Sequence, residues 1–402
     1  MATFVFENMT QAQADALTGT DIIAFASTSV TARNIGVAAS TQLGVDTITL
    51  TAGNKVLNFN AGTLSTVSNA SGIAFNDNSG LVLGTATANS LDGVGSAANT
   101  VYLFAGNDSY DGTVTATEDF VYGMGGNDTI TGGSTASHIY GFSAAGGTDG
   151  TDSLTGGAAG DYIQGNAGAD SINGAGGSDR MLGGSGNDTI AGGTGNDTAN
   201  GNTGDDTVNG EAGNDFLRGG QGNDFILGGD SNDQLFGDLG TDTLFGGTGI
   251  DFLTGGAGND VFAWGTANGV TSTLTDAAPF TAPGATAPSQ FETVVDFENG
   301  IDQFQIRGSS SSVVAFGTAT GDVVRGTTDA VFTTVSAATT YAQQLLDANA
   351  STTDVAAVKV GNDVYLFWGS AGTATAAIDN IVKLQGVTDV SLITGGATGD
   401  FI

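Results

Sequence analysis

The chain has 402 residues, with 42 acidic against 8 basic side chains, a formal net charge of -34, 67 glycines, 3 prolines and no cysteine. That charge repels nucleic-acid phosphates and anionic membranes and favours cations, and the missing cysteines exclude disulfides and thiolate metal sites. A single histidine, His138, excludes a multi-histidine metal centre, and no apolar run of about 18 residues is present to span a membrane.

The N-terminus, Met1-Ala2-Thr3-Phe4-Val5-Phe6-Glu7, has neither a basic n-region nor an apolar h-region, so a Sec-type signal peptide is not expected. A short helix is expected over 10–17, with Thr10 as its N-cap. The remainder of 1–100 is rich in Thr, Ala, Val, Asn and Gly. Its alternating runs, such as Asp46–Leu50 and Asn99–Phe104, predict a β-rich region, an irregular solenoid leading into the next segment.

Residues 101–265 are periodic. Gly106-Asn107-Asp108 and Gly125-Gly126-Asn127-Asp128 open the series, but steps of 20 and then 24 residues to the next unit break the register and indicate inserted loops. His138 lies in such an insertion, and with no second nitrogen ligand its expected role is structural. From there an aspartate recurs every nine residues: Asp152, Asp161, Asp170, Asp179, Asp188, Asp197, Asp206, Asp215, Asp224, Asp233, Asp242, Asp251 and Asp260. Two residues after each comes a mostly apolar side chain, as in Leu154, Ile163, Ile172 and Met181. Before each comes a glycine-rich turn, seen cleanly in Gly183-Gly184-Ser185-Gly186-Asn187-Asp188.

Turn glycines such as Gly184, Gly186, Gly193, Gly195, Gly220, Gly222, Gly247, Gly249, Gly256 and Gly258 permit positive φ and close backbone approach. The residues after each Asp predict a short strand with its middle side chain inward. Turn plus strand is half a coil, so aspartates 18 apart stack in columns. Stacked carboxylates repel unless a hard cation lies between them. Carboxylate and carbonyl oxygens suit calcium better than zinc, copper or the more exacting magnesium. One apolar side chain per nine residues is too thin a core to offset the ordering of a glycine-rich backbone, so ion binding is expected to contribute directly to folding. Asp108, Asp128 and the thirteen registered aspartates are the candidate metal ligands, with the ten glycines as their turn partners. Ala159 and Ser231 replace turn glycines, and Ala199 thins the core.

Late units place Phe216, Phe236 and Phe252 on one outer face and Phe225, Leu227 and Phe245 on the other. Either another segment of the chain covers these faces or they meet a second subunit. Pro279, Pro283 and Pro288 mark a linker over 266–290. The unit 291–402 is expected to be β-rich, with strands at Val364–Trp368 and Ile381–Leu384 and one short helix at Thr340–Ala348. It would close the open end of the array.

The repeat resembles the RTX nonapeptide, G-G-x-G-x-D-x-U-x. The resemblance implies an all-β protein built on a parallel β-roll, multiple calcium ions held between successive turns, and export by type I secretion machinery. Thr293–Phe304 looks like the segment that follows the roll in serralysin-type secreted proteins, and Asp400-Phe401-Ile402 is similar to their terminal secretion signals. Neither H-E-x-x-H nor a nucleophile elbow is present, so no enzymatic activity is expected. The chain resembles secreted surface-layer proteins, which implies an extracellular, self-assembling homo-oligomer, lattice or filament. The alternatives are an adhesin or matrix protein that binds a cell-surface glycan, and a calcium-dependent enzyme acting on polysaccharide. No flat threonine array of an ice-binding kind is found.

Overall fold

In a computed structural model, the described residues are 2–17, 22–25, 35–42, 45–52, 54–60, 73–74, 80–84, 87–92, 98–113, 118–142, 149–267, 270–271, 292–296, 303–307, 323–325, 342, 355–360, 362–368, 380–385 and 400–401. They are nearly all β-structure and form a parallel β-solenoid. The chain divides into two compact units, Met1–Thr198 and Ala199–Ile402.

The first unit opens with a cap. Helix Gln11–Asp15 starts where expected: the Thr10 hydroxyl accepts from the Gln13 N–H, and the Gln13 side chain accepts from the Thr10 N–H, a reciprocal capping box. Strands Gly36–Gln42, Val45–Ala52 and Lys55–Asn60 form an antiparallel meander rather than solenoid coils. Alternation in the second and third strands buries Ile48, Leu50, Ala52, Leu57 and Phe59. Gln11 fastens the helix to the third strand through the Asn58 backbone N–H and C=O, at 3.0 and 2.6 Å. Phe6 stacks between Phe25 and Phe59, and the same apolar cluster takes in Leu81, Leu83 and Phe104 from the first coils.

Coils begin at Gly80–Leu83 and Ser90–Asp92, ahead of residue 101. One parallel sheet contains Ser109–Asp111, Thr129–Thr131, Ser153–Gly157, Ser171–Ala175 and Thr189–Thr194. The other contains Asn99–Tyr102, Phe120–Met124, His138–Phe142, Tyr162–Ala167 and Arg180–Ser185. The inward positions align as Ile130, Leu154, Ile172 and Ile190 in one sheet and Val121, Ile139, Ile163 and Met181 in the other. All are buried.

The second unit repeats the arrangement. Val208, Ile226, Leu244 and Phe262 align in one sheet, and Leu217, Leu235, Leu253 and Val294 in the other. Past the last repeat, Glu292–Val294 and Gln303–Arg307 extend the two sheets in parallel. Both carboxylate oxygens of Asp296 accept backbone N–H groups, from Gly255 and Gly256 at 2.9 and 2.8 Å, and pin this strand to the final turn. The direction then reverses: Asn380–Leu384, Asp363–Trp368 and Val355–Val360 pair antiparallel, as do Asp400–Phe401 and Phe304–Gln305. These strands agree with the β-rich C-terminal cap. Of the helix expected at Thr340–Ala348, only Ala342 is a described residue; it is helical and buried. Pro279, Pro283 and Pro288 lie outside the described residues.

The two apolar faces have different fates. Leu227, Phe245 and Ala263 form a buried column with Phe225 packed against it, so this face belongs to the fold. Phe216 and Phe252 remain 36% and 48% exposed. Phe216 packs on Phe236 at 5.0 Å, with the rings tilted by 37°.

Candidate metal centre

Each repeat aspartate sits at the end of its turn, and all fifteen candidates are at most 4% exposed. Their placement follows from two sets of hydrogen bonds between coils. In the first, Oδ1 of an aspartate accepts the backbone N–H of the equivalent residue one coil earlier. The links run from Asp108 to Asp128, Asp128 to Asp152, Asp152 to Asp170 and Asp170 to Asp188, each at 2.8 Å. On the other side of the coil Asp161 donates to Asp179 at 2.7 Å and Asp179 to Asp197 at 2.8 Å. In the second unit the series are Asp206, Asp224, Asp242 and Asp260, and Asp215, Asp233 and Asp251, linked at 2.8–3.0 Å.

The second set runs in the opposite direction and uses the asparagine that stands just before many of the aspartates. Asn107 Oδ1 accepts the N–H of Asn127, and Asn127 Oδ1 that of Thr151. Asn214 Oδ1 accepts from Asn232, Asn232 Oδ1 from Ile250, and Asn223 Oδ1 from Thr241, at 2.8–3.0 Å. The recurring Asn-Asp pair is therefore a two-way staple between neighbouring coils. The asparagine half was visible in the sequence as a repeated letter, but its role depends on knowing which backbone N–H lies opposite.

The ten candidate glycines all have left-handed φ, from 99° to 148°. A Cβ on Gly186 would strike the carbonyl oxygen of Gly168, and one on Gly184 that of Asn166. The first glycine of the unit has a different reason. At Gly165 a Cβ would collide with Oδ2 of Asp170 and the Gly183 carbonyl oxygen, so its absence makes room for the carboxylate. Ser231 keeps the left-handed conformation, at φ 84°, and carries its strain there, whereas Ala159 takes no positive φ and its turn is rearranged.

Oδ2 is the atom that points to chemistry. In Asp108, Asp128, Asp152, Asp161, Asp170, Asp179, Asp224, Asp233, Asp242 and Asp251 it is buried and accepts no hydrogen bond. A buried anionic oxygen without a partner requires a proton or a cation. Burial pushes these carboxyls far above the usual carboxylate range, against the lowering effect of the backbone N–H each accepts: Asp152, Asp179, Asp242 and Asp251 to about 7, and Asp161, Asp170 and Asp224 to about 6; neighbouring carboxylates add to the rise at Asp152, Asp170, Asp179, Asp224 and Asp242. Asp233 rises to about 8, through burial first and then the charges of Asp251, Asp215 and Asp230, against the lowering effect of the Asp215 N–H. Among the described residues no three acidic or histidine side chains converge on one point. The available donors are thus single carboxylates plus turn carbonyls, an oxygen-only set that fits a hard divalent cation such as calcium and offers nothing to a soft metal.

The irregular early coils follow the same plan. Nine-residue steps connect Asn99 to Asp108, and Asp119 to Asp128 to Ser137. Asp119 Oδ1 accepts from Asn99, and Asp161 Oδ1 accepts from the Ser137 N–H at 2.5 Å, so these residues stand in the second aspartate column. The register survives there. Insertions displace it between Asp108 and Asp119 and between Ser137 and Asp152, which hid Asp119 behind apparent steps of 20 and 24. His138 Nε2 lies 3.2 Å from Glu118 Oε1, and its ring stacks on Phe120 at 4.4 Å.

The family model of the RTX calcium-binding nonapeptide repeat matches residues 115–141, 146–181, 182–217, 210–244 and 236–266. No curated protein matches the chain.

Proposed function

This chain carries RTX calcium-binding nonapeptide repeats, and from that premise we propose that it is a secreted, extracellular structural protein without catalytic activity. It folds when calcium fills its turns and then self-associates into a layer or filament. The observation that carries the reading is the set of buried aspartates, such as Asp170 and Asp242, with one oxygen committed to the neighbouring coil and one left without a hydrogen bond. In a calcium-poor cytosol those oxygens oppose folding and leave the chain extended for export. Outside the cell, ions that bind only the folded turns add their binding free energy to folding.

The aspartates would hold the ions, with turn carbonyls completing each shell. A bound cation there neutralises the stacked carboxylates and bridges coils that side-chain hydrogen bonds already hold in register. Self-association is supported by the exposed Phe216 and Phe252 and by Leu239, which is 54% exposed on the same sheet. No helix among the described residues is long and apolar enough to cross a membrane.

Circular dichroism and electron microscopy of the purified chain, in millimolar calcium and in excess chelator, test both halves. The full β-structure and ordered assemblies are expected with calcium alone. The same folded state in chelator rejects calcium-driven folding, and persistent monomers in calcium reject the layer.

A further inference from the structure

The second aspartate column changes character at its N-terminal end. From Asp161 onward each position has a carboxylate, but before it the column reads Asn99, Asp119, Ser137. Asn99 and Ser137 bring no charge. Asp119 does, yet both of its oxygens are engaged: Oδ1 accepts the backbone and side-chain N–H groups of Asn99, each at 3.0 Å, and Oδ2 accepts the Tyr110 hydroxyl at 2.9 Å. Tyr110 occupies the inward position two residues after Asp108, in register with Leu91 and Ile130. Where the other described repeats place an aliphatic, Met or Phe side chain, its ring crosses the coil interior and delivers a proton to the aspartate on the far side.

Coil-to-coil cohesion in this stretch has another source as well. On the outer face of the strands that follow this column, Tyr102 stacks on Tyr122 at 5.0 Å and Tyr122 on Tyr140 at 5.1 Å, with rings within 13° of parallel. Beside them Phe120 stacks on His138, and His138 packs on Tyr162 with the rings tilted by 30°. Phe104, at a turn position that units such as those of Asp188 and Asp197 give to glycine, takes φ 71° and inserts its ring into the apolar core of the N-terminal cap.

We propose that Tyr110 closes the Asp119 position to calcium, and that coils 99–142 with the N-terminal cap form an ion-independent seed on which the calcium-dependent coils assemble. The proposal rests on the calcium reading given above. Asp108 and Asp128, in the opposite column, retain buried Oδ2 atoms without hydrogen bonds, so chelation weakens the seed without melting it.

Hydrogen exchange of the full chain in calcium and in excess chelator, read by mass spectrometry, tests it. In chelator, amides of the described residues between 2 and 60 and between 99 and 142 are expected to keep protection within about tenfold of their calcium values, while those of 189–262 lose roughly a thousandfold or more. Equal loss in both regions overturns the seed and leaves the calcium reading intact; retained protection in both overturns the calcium reading itself. Tyr110→Phe keeps the ring and removes the hydroxyl. It is expected to lose protection of 99–142 in chelator, to regain it in calcium, and to bind one more calcium per chain by titration calorimetry. Unchanged stoichiometry and unchanged protection in chelator overturn the role given to Tyr110.

Discussion

Asp170 has two unlike oxygens: Oδ1 holds the Asp152 N–H at 2.8 Å, while Oδ2 lies buried beside Gly165. Asp170→Asn keeps the acceptor, removes the charge and sets a donor near the Gly183 carbonyl, which converges on the same point. The variant is expected to be more stable than the parent in chelator, by about 1–2 kcal/mol, and to bind fewer calcium ions. Chemical denaturation and titration calorimetry read the two effects separately. At this scale the aspartates and their inward apolar neighbours were legible, because a period of nine in charge and hydrophobicity needs no geometry to detect. The first glycine of each unit was not: its reason is a carboxylate folding back over it, five residues away in the chain.

Taken element by element, the aspartate columns make the ion-free roll acid-stabilised. Folded pKa values of about 6 to 8 at Asp161, Asp170, Asp179, Asp233, Asp242 and Asp251 lie above the unfolded value near 4. Between those limits the folded chain binds more protons than the unfolded one, so its stability falls as pH rises. In chelator, the β-structure of the coils after residue 142 is expected at pH 5 and lost by pH 8, as followed by the partial loss of the circular dichroism signal. With calcium present the loss on raising pH is expected to disappear. Local signals also explain which elements could be anticipated. Thr10 and Gln13 announce their helix within four residues, and Val364–Trp368 reads as a strand from composition alone. The meander at 36–60 was taken for irregular solenoid, because its strands alternate as solenoid strands do and only pairing direction separates the two. Asp119 was missed because insertions on either side of its two-step run disguise the period.

Across the whole molecule, the exposed aromatic face is the candidate contact between copies. Phe216→Ser with Phe252→Ser is expected to abolish calcium-dependent assembly in electron microscopy and light scattering, with calcium-induced β-structure unchanged, since both rings are substantially exposed. Phe245→Ser, by contrast, is expected to destabilise the fold by about 3 kcal/mol or more, because that ring is fully buried. The sequence placed both sets of side chains on outer faces but carried no sign of which face the rest of the chain would cover.

The alternation of successive repeats between two sheets also sets a quantum of length. In the second unit Thr293 joins the sheet that holds Phe252, and Gln303 the sheet that holds Val261. Excising one nonapeptide upstream would leave each remaining turn chemically whole, yet would present every later strand to the wrong side of the coil. Excising two would only draw the closing strands nearer by one interstrand spacing, about 4.8 Å. Such a gene can therefore grow or shrink smoothly by paired repeats, and an unpaired gain or loss would strand its terminal closure.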